Sequence, residues 1–420
     1  MGAAASLGPA APGRRAGRGA AEQLRPTRRV PVGAAAGVGV ARRTPGLGPP
    51  ARATAAGIRR AAGADAVTDL LELTRDLVAV PSESHAERPL VDVLERDLRR
   101  LAHLTVDRVG DNLVARTTGA ASTRVLLAGH TDTVPANDNA VPRIEGDTLW
   151  GLGATDMKAG LAVMVALARE VEDPAVEVTY VFYAGEEVAS VHNGLGHLFR
   201  DRPELLEADV ALLGEPTDAT IEAGCQGALR VEVTLRGARA HAARPWMGRN
   251  AIHRLGPLLR AVEAWPERRP VIDGCEFREA LQALAVRGGV AGNVVPDEAT
   301  LTINHRFAPD RRPEEAVDAV RALVAPHLEE GDSFEVVDLA GAAAPSLGHP
   351  VLASLIERNH LEVRAKLGWT DVARFAAHGI PAANFGPGDA TLAHTADERV
   401  RREPIERCHR ALLELLRTGP

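Results

Sequence analysis

The chain has 420 residues, too many for one compact core, and 45% of them are hydrophobic, so a core can be buried. Its net charge is −7, but residues 1–60 carry eleven Arg against one acid, a charge of +10 that leaves −17 for the rest. Such an acidic body argues against nucleic acid as the main ligand, because binding to phosphates needs a basic face.

Residues 1–64 are rich in Ala, Gly, Pro and Arg and contain few large apolar side chains, so we expect this extension to be disordered. It resembles a transit peptide, or a basic tail that touches nucleic acid, or sequence translated from a start codon assigned upstream of the true one. Its composition favours the upstream start codon.

Cysteine usage and hydropathy restrict the compartment. Three cysteines, Cys225, Cys275 and Cys408, are widely spaced and match neither a disulfide framework nor a paired-Cys zinc site. The expected compartment is a reducing cytoplasm. No apolar run reaches the roughly 18 residues that a membrane span needs, so no membrane association is expected.

Residues 65–226 have the pattern of an α/β domain. A helix is predicted near its start, where "DAVTDLLELTRDLVAV" places leucines at helical spacing before Pro81. Four short apolar runs read as buried strands, the last of them after residue 341, where the domain resumes and continues to residue 420. Strands alternate with helices, which predicts a doubly wound mixed sheet. The four runs are 124–129, 178–185, 209–214 and 381–386.

Residues 227–340 have a different pattern. The stretches 228–237 and 298–309 alternate apolar with polar residues, as half-exposed strands do, and two amphipathic helices accompany them. We therefore predict a smaller α+β domain inserted into the first. A strand exposed at its edge would favour pairing with a second copy, that is, a homodimer.

Acidic and imidazole side chains follow the four buried strands. In an open α/β sheet, ligands gather outside the carboxyl ends of the strands. Each residue alone could be a loop histidine or a solvated acid, but their coincidence at four strand ends favours one site. They are His130 and Asp132, Glu186 and Glu187, Glu215, and His394.

Imidazoles and carboxylates without a thiolate suit Zn²⁺, Co²⁺ or Mn²⁺. Because there are more carboxylates than one ion can use, we expect two ions bridged by one carboxylate. A water between two such ions loses a proton near neutral pH and becomes a good nucleophile.

Six motifs resemble the metal-dependent aminoacylase and carboxypeptidase-like family of di-zinc amidohydrolases, over the chain from about residue 66. They occur in the family's order: "LLAGHTDTVP", "GLGATDMKAG", "YAGEEVAS", "LLGEPT", "GARAHAARPW" and "GPGDATLAHTADE". The resemblance implies a small-molecule N-acyl amino acid substrate and two Zn²⁺. Within the family, "GWTDVARF" favours the branch that removes N-succinyl groups over N-acetylornithine deacetylases, aminoacylases and dipeptidases. A non-catalytic binding relative is a further alternative.

The resemblance also implies a role for each residue of the metal centre. His130 and Glu215 would be metal ligands, Asp156 would bridge the two ions, and Glu187 and His394 would bind opposite ions. It further implies a cis peptide bond after Asp156. Asp132 would fix the imidazole of His130, and Glu186 would be the general base.

Other positions match residues that bind substrate in the family. His241, in the inserted domain, would reach across a dimer interface to stabilise the oxyanion. The expected substrate contacts are Asn293, Arg306, Gly368 and Thr370. One departure is "CQGA" at 225–228, where many members that remove succinyl groups carry Arg-Arg-Gly-Ser, although Arg230 lies nearby. The substrate carboxylates would then be bound differently, or the substrate differs.

Overall fold

The computed structural model describes residues 69–420. The predictions for residues 1–64 and for the first turn of the first helix lie outside this range. Within it, none of the helices is both long and apolar enough to cross a membrane.

The helices of the described residues occur throughout the chain. The first begins at Leu70, where the carboxylate of Asp69 accepts hydrogen bonds from the N–H groups of Leu71 and Glu72 and caps the helix. The helices are α1 Leu70–Val78, α2 Arg88–Leu98, α3 Ala159–Glu170, α4 Gly194–Asp201, α5 Ala251–Glu263, α6 Pro313–Val324, α7 Pro350–Asn359, α8 Val372–Ala377 and α9 Arg402–Thr418.

The strands form two main sheets and two smaller ones. They are β1 Thr105–Val109, β2 Asn112–Arg116, β3 Arg124–His130, β4 Arg143–Glu145, β5 Thr148–Trp150, β6 Glu177–Tyr183, β7 Val210–Leu213, β8 Ile221–Ala223, β9 Gly227–Arg236, β10 Val271–Ile272, β11 Cys275–Glu276, β12 Ala280–Gly288, β13 Glu298–Phe307, β14 Ser333–Ala340, β15 Val363–Ala365, β16 Ala382–Asn384 and β17 Arg399–Arg401.

The largest sheet has eight strands in the order β1-β2-β6-β3-β7-β16-β8-β15. Its centre is parallel, since β3 pairs in parallel with β6 and β7, and β7 with β16. Toward one edge, β2 pairs antiparallel with β6, so the sheet is mixed. All four predicted buried strands lie in this sheet.

Helices cover both faces of the eight-stranded sheet. Alternate residues of β3 show this, since Val125 and Leu127 belong to the core packed with α1, α3 and α9. Leu126 and Ala128 face the opposite side and pack in a second core with α4 and α8. Because successive side chains of a strand point to opposite faces, the predicted doubly wound α/β fold is confirmed.

The second main sheet is antiparallel, in the order β12-β13-β9-β14, and α5 and α6 pack on one face of it. The predicted strands β9 and β13 are its central pair, but the two edge strands β12 and β14 were not predicted. They are almost entirely exposed, and without a buried face their sequences do not alternate. All described residues belong to one compact unit, and the domain limits at 227 and 340 stay predictions.

Close packing of α3 against the sheet generates a test of stability. A Cβ on Gly160 would lie 2.3 Å from the carbonyl oxygen of Gly214, an atom of the backbone that cannot turn away. We expect Gly160→Ala to lower the free energy of unfolding by about 1–3 kcal/mol. Urea unfolding of the purified protein measures it.

Gly348→Ala is the matched control, because no heavy atom lies within 4 Å of its Cβ position. This change should leave the free energy of unfolding equal or up to ~1 kcal/mol higher. Equal midpoints for the two variants would show that α3 can move away from β7 at no cost.

Candidate metal centre

The carboxyl ends of the central parallel strands place three groups at one edge of the sheet. His130 is the last residue of β3, Glu186 and Glu187 follow β6, and Glu215 follows β7. This arrangement follows from parallel pairing, which aligns the ends of neighbouring strands.

Two further residues reach this edge from loops. Asp156 lies in the irregular turn Ala154–Lys158 that precedes α3, and the peptide bond between Asp156 and Met157 is cis, as the sequence resemblance implied. His394 comes from the loop after β16, with a left-handed φ of 63°.

Asp156 lies between the two imidazoles. Its Oδ1 is 3.0 Å from Nε2 of His130 and its Oδ2 is 3.5 Å from Nε2 of His394. The same Nε2 of His394 lies 2.8 Å from Oε1 of Glu187. These contacts with Asp156 and Glu187 raise the pKa of His394 to about 10.

The ligand atoms fall into groups whose members lie within 4.8 Å of one another. One group contains His130, Asp156 and Glu215, and another contains Asp156, Glu187 and His394. Asp156 is common to both, which is the arrangement expected of a bridging carboxylate. Glu187 and His394, however, belong to the same group, which favours one shared ion over the opposite ions that the resemblance implied.

Glu215 supplies a test of whether these residues fit a metal ion. Its Oε1 is buried and has no hydrogen-bond partner. Burial raises the pKa of Glu215 to about 7, although the positive charge of His130 opposes the shift. An unpartnered buried oxygen among imidazoles and carboxylates, with no thiolate, is suited to a divalent cation of the zinc type. The residues therefore fit a metal.

Glu186 adds a carboxyl group beside this centre. It forms a third close group with His130 and Glu187. Burial raises its pKa well above the usual carboxyl range, and the negative charges of Glu215 and Asp371 act in the same direction, against that of His130. So many carboxylates in one buried place require cations or protons to offset their charge.

Asp132 holds the two adjacent glutamates by their backbone. Its Oδ1 accepts from the N–H of Glu186 at 3.0 Å and its Oδ2 from the N–H of Glu187 at 3.1 Å. Its carboxylate is 3.6 Å from Nδ1 of His130, while its backbone carbonyl lies 3.1 Å from that nitrogen. The carboxylate of Asp132 thus orients the two adjacent glutamates. The backbone carbonyl of Asp132 orients the imidazole of His130.

Asp132 remains ionised despite its complete burial. Burial alone would raise its pKa, but the nearby charge of His130 and the hydrogen bonds from the two backbone N–H groups outweigh this and lower the pKa to about 2. A hydroxyl also donates to it, from Ser84 to Oδ2 at 2.8 Å. This serine was not predicted from the sequence.

Glu398 is the second residue that sequence reasoning missed. Its carboxylate, 1% exposed, accepts hydrogen bonds from the N–H groups of Thr155 and Asp156 at 3.0 and 3.1 Å. It precedes β17, which pairs with β5, so the small sheet β17-β5-β4 brings it to the turn that carries Asp156. Burial raises its pKa to about 7 in spite of these bonds. The available signal was its place in the motif "GPGDATLAHTADE".

The predicted substrate contacts divide into two sets. Arg306 and Gly368 line a cavity of about 660 Å³ whose wall also contains Glu186 and Glu187. Thr370 is buried, and its hydroxyl has no hydrogen-bond partner. It is not among the residues that line this cavity.

His241 and Asn293 do not line the cavity either. Both are exposed. The backbone segments that carry them are adjacent. The N–H of Ala242 donates to the carbonyl of Asn293 at 2.8 Å, and His241 forms an isolated antiparallel β-bridge with Val294. The structure therefore brings these two residues together, but it does not place them in the lining of the cavity that contains Glu186 and Glu187.

An eight-stranded mixed sheet with an acidic and imidazole cluster at its strand ends defines a metallohydrolase-like class of fold and site. Comparison with known proteins identifies the family. The model of peptidase family M20/M25/M40 matches residues 126–418. The chain belongs to this family of hydrolases.

Three relatives show how far the similarity extends. A Mycobacterium tuberculosis protein, provisionally named succinyl-diaminopimelate desuccinylase DapE, is 50% identical over 79% of this chain and 93% of its own length. The succinyl-diaminopimelate desuccinylase of Corynebacterium glutamicum is 45% identical over 82% and 95%. An M20 family metallo-carboxypeptidase from Sulfolobus solfataricus has the same fold, with a TM-score of 0.68 at 16% identity over 83% and 98%.

The contacts of Glu398 predict its effect on the metal centre. Replacing Glu398 by Ala removes the acceptor for the backbone N–H of Asp156, so the carboxylate shared by both ligand groups loses its support. We expect Glu398→Ala to weaken zinc binding by about 10–100-fold, measured by competition with a chromogenic chelator.

Glu398→Gln is the matched variant, since it retains a carbonyl oxygen at the same place and should lose less affinity. The thermal midpoint of the metal-free proteins separates a local effect from a general loss of stability. Unchanged zinc affinity in Glu398→Ala would contradict a positioning role.

Proposed function

We propose that this protein hydrolyses N-succinyl-LL-2,6-diaminopimelate to succinate and LL-2,6-diaminopimelate. The observation that carries amide hydrolysis is the position of Asp156, shared by two groups of metal-ligating atoms next to the buried Glu186. The choice of substrate is supported by the names of the relatives that are 50% and 45% identical over almost their whole length.

Two Zn²⁺ ions, or Co²⁺ or Mn²⁺ in their place, are proposed as the cofactors. His130 and Glu215 would hold one ion, Glu187 and His394 the other, and Asp156 both. Ions bound there supply Lewis-acid chemistry, because they polarise a carbonyl group and lower the pKa of nearby water.

Glu186 is the proposed general base. As water adds to the amide carbonyl carbon, the carboxylate of Glu186 accepts a proton from it and then donates that proton to the departing amine nitrogen. A carboxyl group that first accepts and then returns a proton benefits from a pKa raised toward the working pH, and burial shifts that of Glu186 in this direction.

Asp132 keeps Glu186 in position during this transfer. The carboxylate of Asp132 accepts hydrogen bonds from the backbone N–H groups of Glu186 and Glu187. The backbone at Glu186 is therefore fixed, and only its side chain can move. General bases must lie within hydrogen-bond reach of the proton that they accept. A fixed backbone limits the positions that the carboxylate of Glu186 can occupy.

A homodimer completes the proposed site. His241 is exposed and lies outside the cavity of its own chain, so we assign its oxyanion-stabilising role to the cavity of a partner subunit. The exposed edge strands β12 and β14 offer unpaired backbone groups for such an association. We place the enzyme in the cytoplasm, where its three buried free cysteines stay reduced.

A panel of substrates tests the choice of acyl group. The zinc-loaded protein should cleave N-succinyl-LL-2,6-diaminopimelate with a kcat/KM at least about 100-fold above that for N-acetylornithine, because a site built for a carboxylate leaves polar groups unpaired with an acetyl group. Release of primary amine measures the rate. Faster turnover of N-acetylornithine or of a dipeptide would replace the proposed substrate.

Mixing two inactive variants tests Glu186 and His241 together. Glu186→Gln and His241→Ala should each lower kcat by more than about 100-fold, since one removes the base and the other an oxyanion donor. Refolded or exchanged as a mixture, they form hybrid dimers with one complete site. The mixture should then regain about a quarter of wild-type activity, since about half of the dimers are hybrids.

The zinc content of both variants should equal that of the wild type, which excludes loss of the ions as the cause. No recovery upon mixing, with subunit exchange confirmed by native mass spectrometry, would place His241 outside the partner's site.

A further inference from the structure

One wall of the cavity is formed by the exposed face of the four-stranded sheet. It contains Arg230 of β9 and Arg306 of β13. In the antiparallel register Arg230 lies opposite Asn304, and Arg306 lies opposite Ala228. The two arginines are therefore diagonal neighbours on the same face, and diagonal neighbours are within reach of each other for long side chains.

These two guanidinium groups lack the partners that other charges of this face have. Farther along β9, Glu232 pairs with Arg287 and Arg236 pairs with Glu298. Neither Arg230 nor Arg306 forms an ion pair or a side-chain hydrogen bond with another residue among 69–420.

The surroundings make this pair of like charges unfavourable without a ligand. Arg306 is half-buried, and its burial and the positive charge of Arg230 both lower its pKa. One acid, Asp338 of β14, lies opposite Arg230 in the register and attracts Arg306, but it makes no ion pair with either arginine. One unpaired acid against two arginines leaves a positive charge on the wall of the cavity that the sheet forms.

The third arginine of the cavity wall is already engaged. Arg374 donates to Asp371 at 2.5 Å and to the hydroxyl of Ser190 at 2.8 Å, and it lies over the ring of Trp369. It can shape the cavity but has fewer donors free for a ligand. Of the three arginines that line the cavity, Arg230 and Arg306 are the two without an ion-pair partner among residues 69–420.

We propose that Arg230, together with Arg306, binds a free carboxylate of the substrate at the wall of the cavity that the four-stranded sheet forms, and so determines specificity for anionic substrates. The inference rests on the proposed function, which supplies a substrate with carboxylates on both its acyl and its amine portions. Two guanidinium groups can each donate to one carboxylate, and such charge-assisted bonds are the strong ones.

Matched pairs of substrates test whether Arg230 binds a carboxylate of the substrate. One pair compares N-succinyl with N-succinamyl diaminopimelate, in which a carboxamide replaces the acyl carboxylate. The other pair replaces the carboxylate of the amine portion by a carboxamide. Arg230→Met should lower kcat/KM by about 10–100-fold for substrates that carry the recognised carboxylate, mainly through KM.

For the amide in which that carboxylate is absent, the same variant should retain kcat/KM within about twofold of the wild type. The substrate pair for which Arg230→Met no longer prefers the carboxylate over the carboxamide identifies which carboxylate is bound. Arg230→Lys should recover part of the preference, since it keeps the charge without the fork of donors. Arg236→Met, on the same strand but paired with Glu298, is the control and should change neither pair.

Two results would overturn the inference. Arg230→Met could slow charged and neutral substrates equally, as a structural role would, or it could leave both unchanged. Calorimetric titration of the zinc-loaded protein with succinate, with diaminopimelate and with succinamate repeats the comparison without turnover. If the wild type cleaves no N-succinyl substrate, the proposed function fails, and the titrations still decide whether Arg230 binds a carboxylate.

Discussion

Two backbone N–H groups, those of Glu186 and Glu187, donate to the two oxygens of the Asp132 carboxylate. This interaction links the loop after β6 to the end of β3, and the hydroxyl of Ser84 ties a third segment to the same carboxylate. The rest of the centre depends on it, because His130 lies two residues earlier on the same strand end. A single ionised side chain, fully buried, thereby fixes the position of the His130 imidazole, a proposed metal ligand, relative to both glutamates.

The same interaction explains why the two adjacent carboxylates, Glu186 and Glu187, can have different roles. With both backbone N–H groups fixed on one acceptor, the side chains of consecutive residues leave the main chain in different directions. Glu187 contacts His394, while Glu186 lies with His130 in a separate group and has the raised pKa. One side chain is thus available to an ion and the other to a proton.

Sequence reasoning succeeded where a residue type follows a recognisable strand, and failed where a role depends on the backbone. Buried strands that end in Gly and are followed by His, Asp or Glu located His130, Glu186 and Glu215. His394 was likewise placed after the last buried strand, although it lies in a long loop. Asp156 lies in an irregular turn, and only resemblance to a family could assign it. Glu398 was missed because its partners are N–H groups, which any sequence has. The exposed edge strands of the second sheet carry no hydrophobic alternation, so nothing in their sequence marked them.

The cavity wall carries charges of both signs, and these constrain how a substrate can bind. Glu186 and Glu187 line it beside the proposed ion positions, and the sheet adds Arg230 and Arg306, which form no ion pair with another residue among 69–420. In the proposed function, an N-acyl amino acid with a distant carboxylate would gain by placing that carboxylate near Arg230 and its amide carbonyl near the proposed ions. Such ions would also attract carboxylates, so the arginines would have to compete with them for the anionic end of the substrate. A pair of guanidinium groups without protein partners loses no internal ion pair in doing so, whereas paired arginines would first have to give up their acids. The absence of ion-pair partners of Arg230 and Arg306 among the described residues is therefore the feature that would let this wall set the direction of binding in the proposed function.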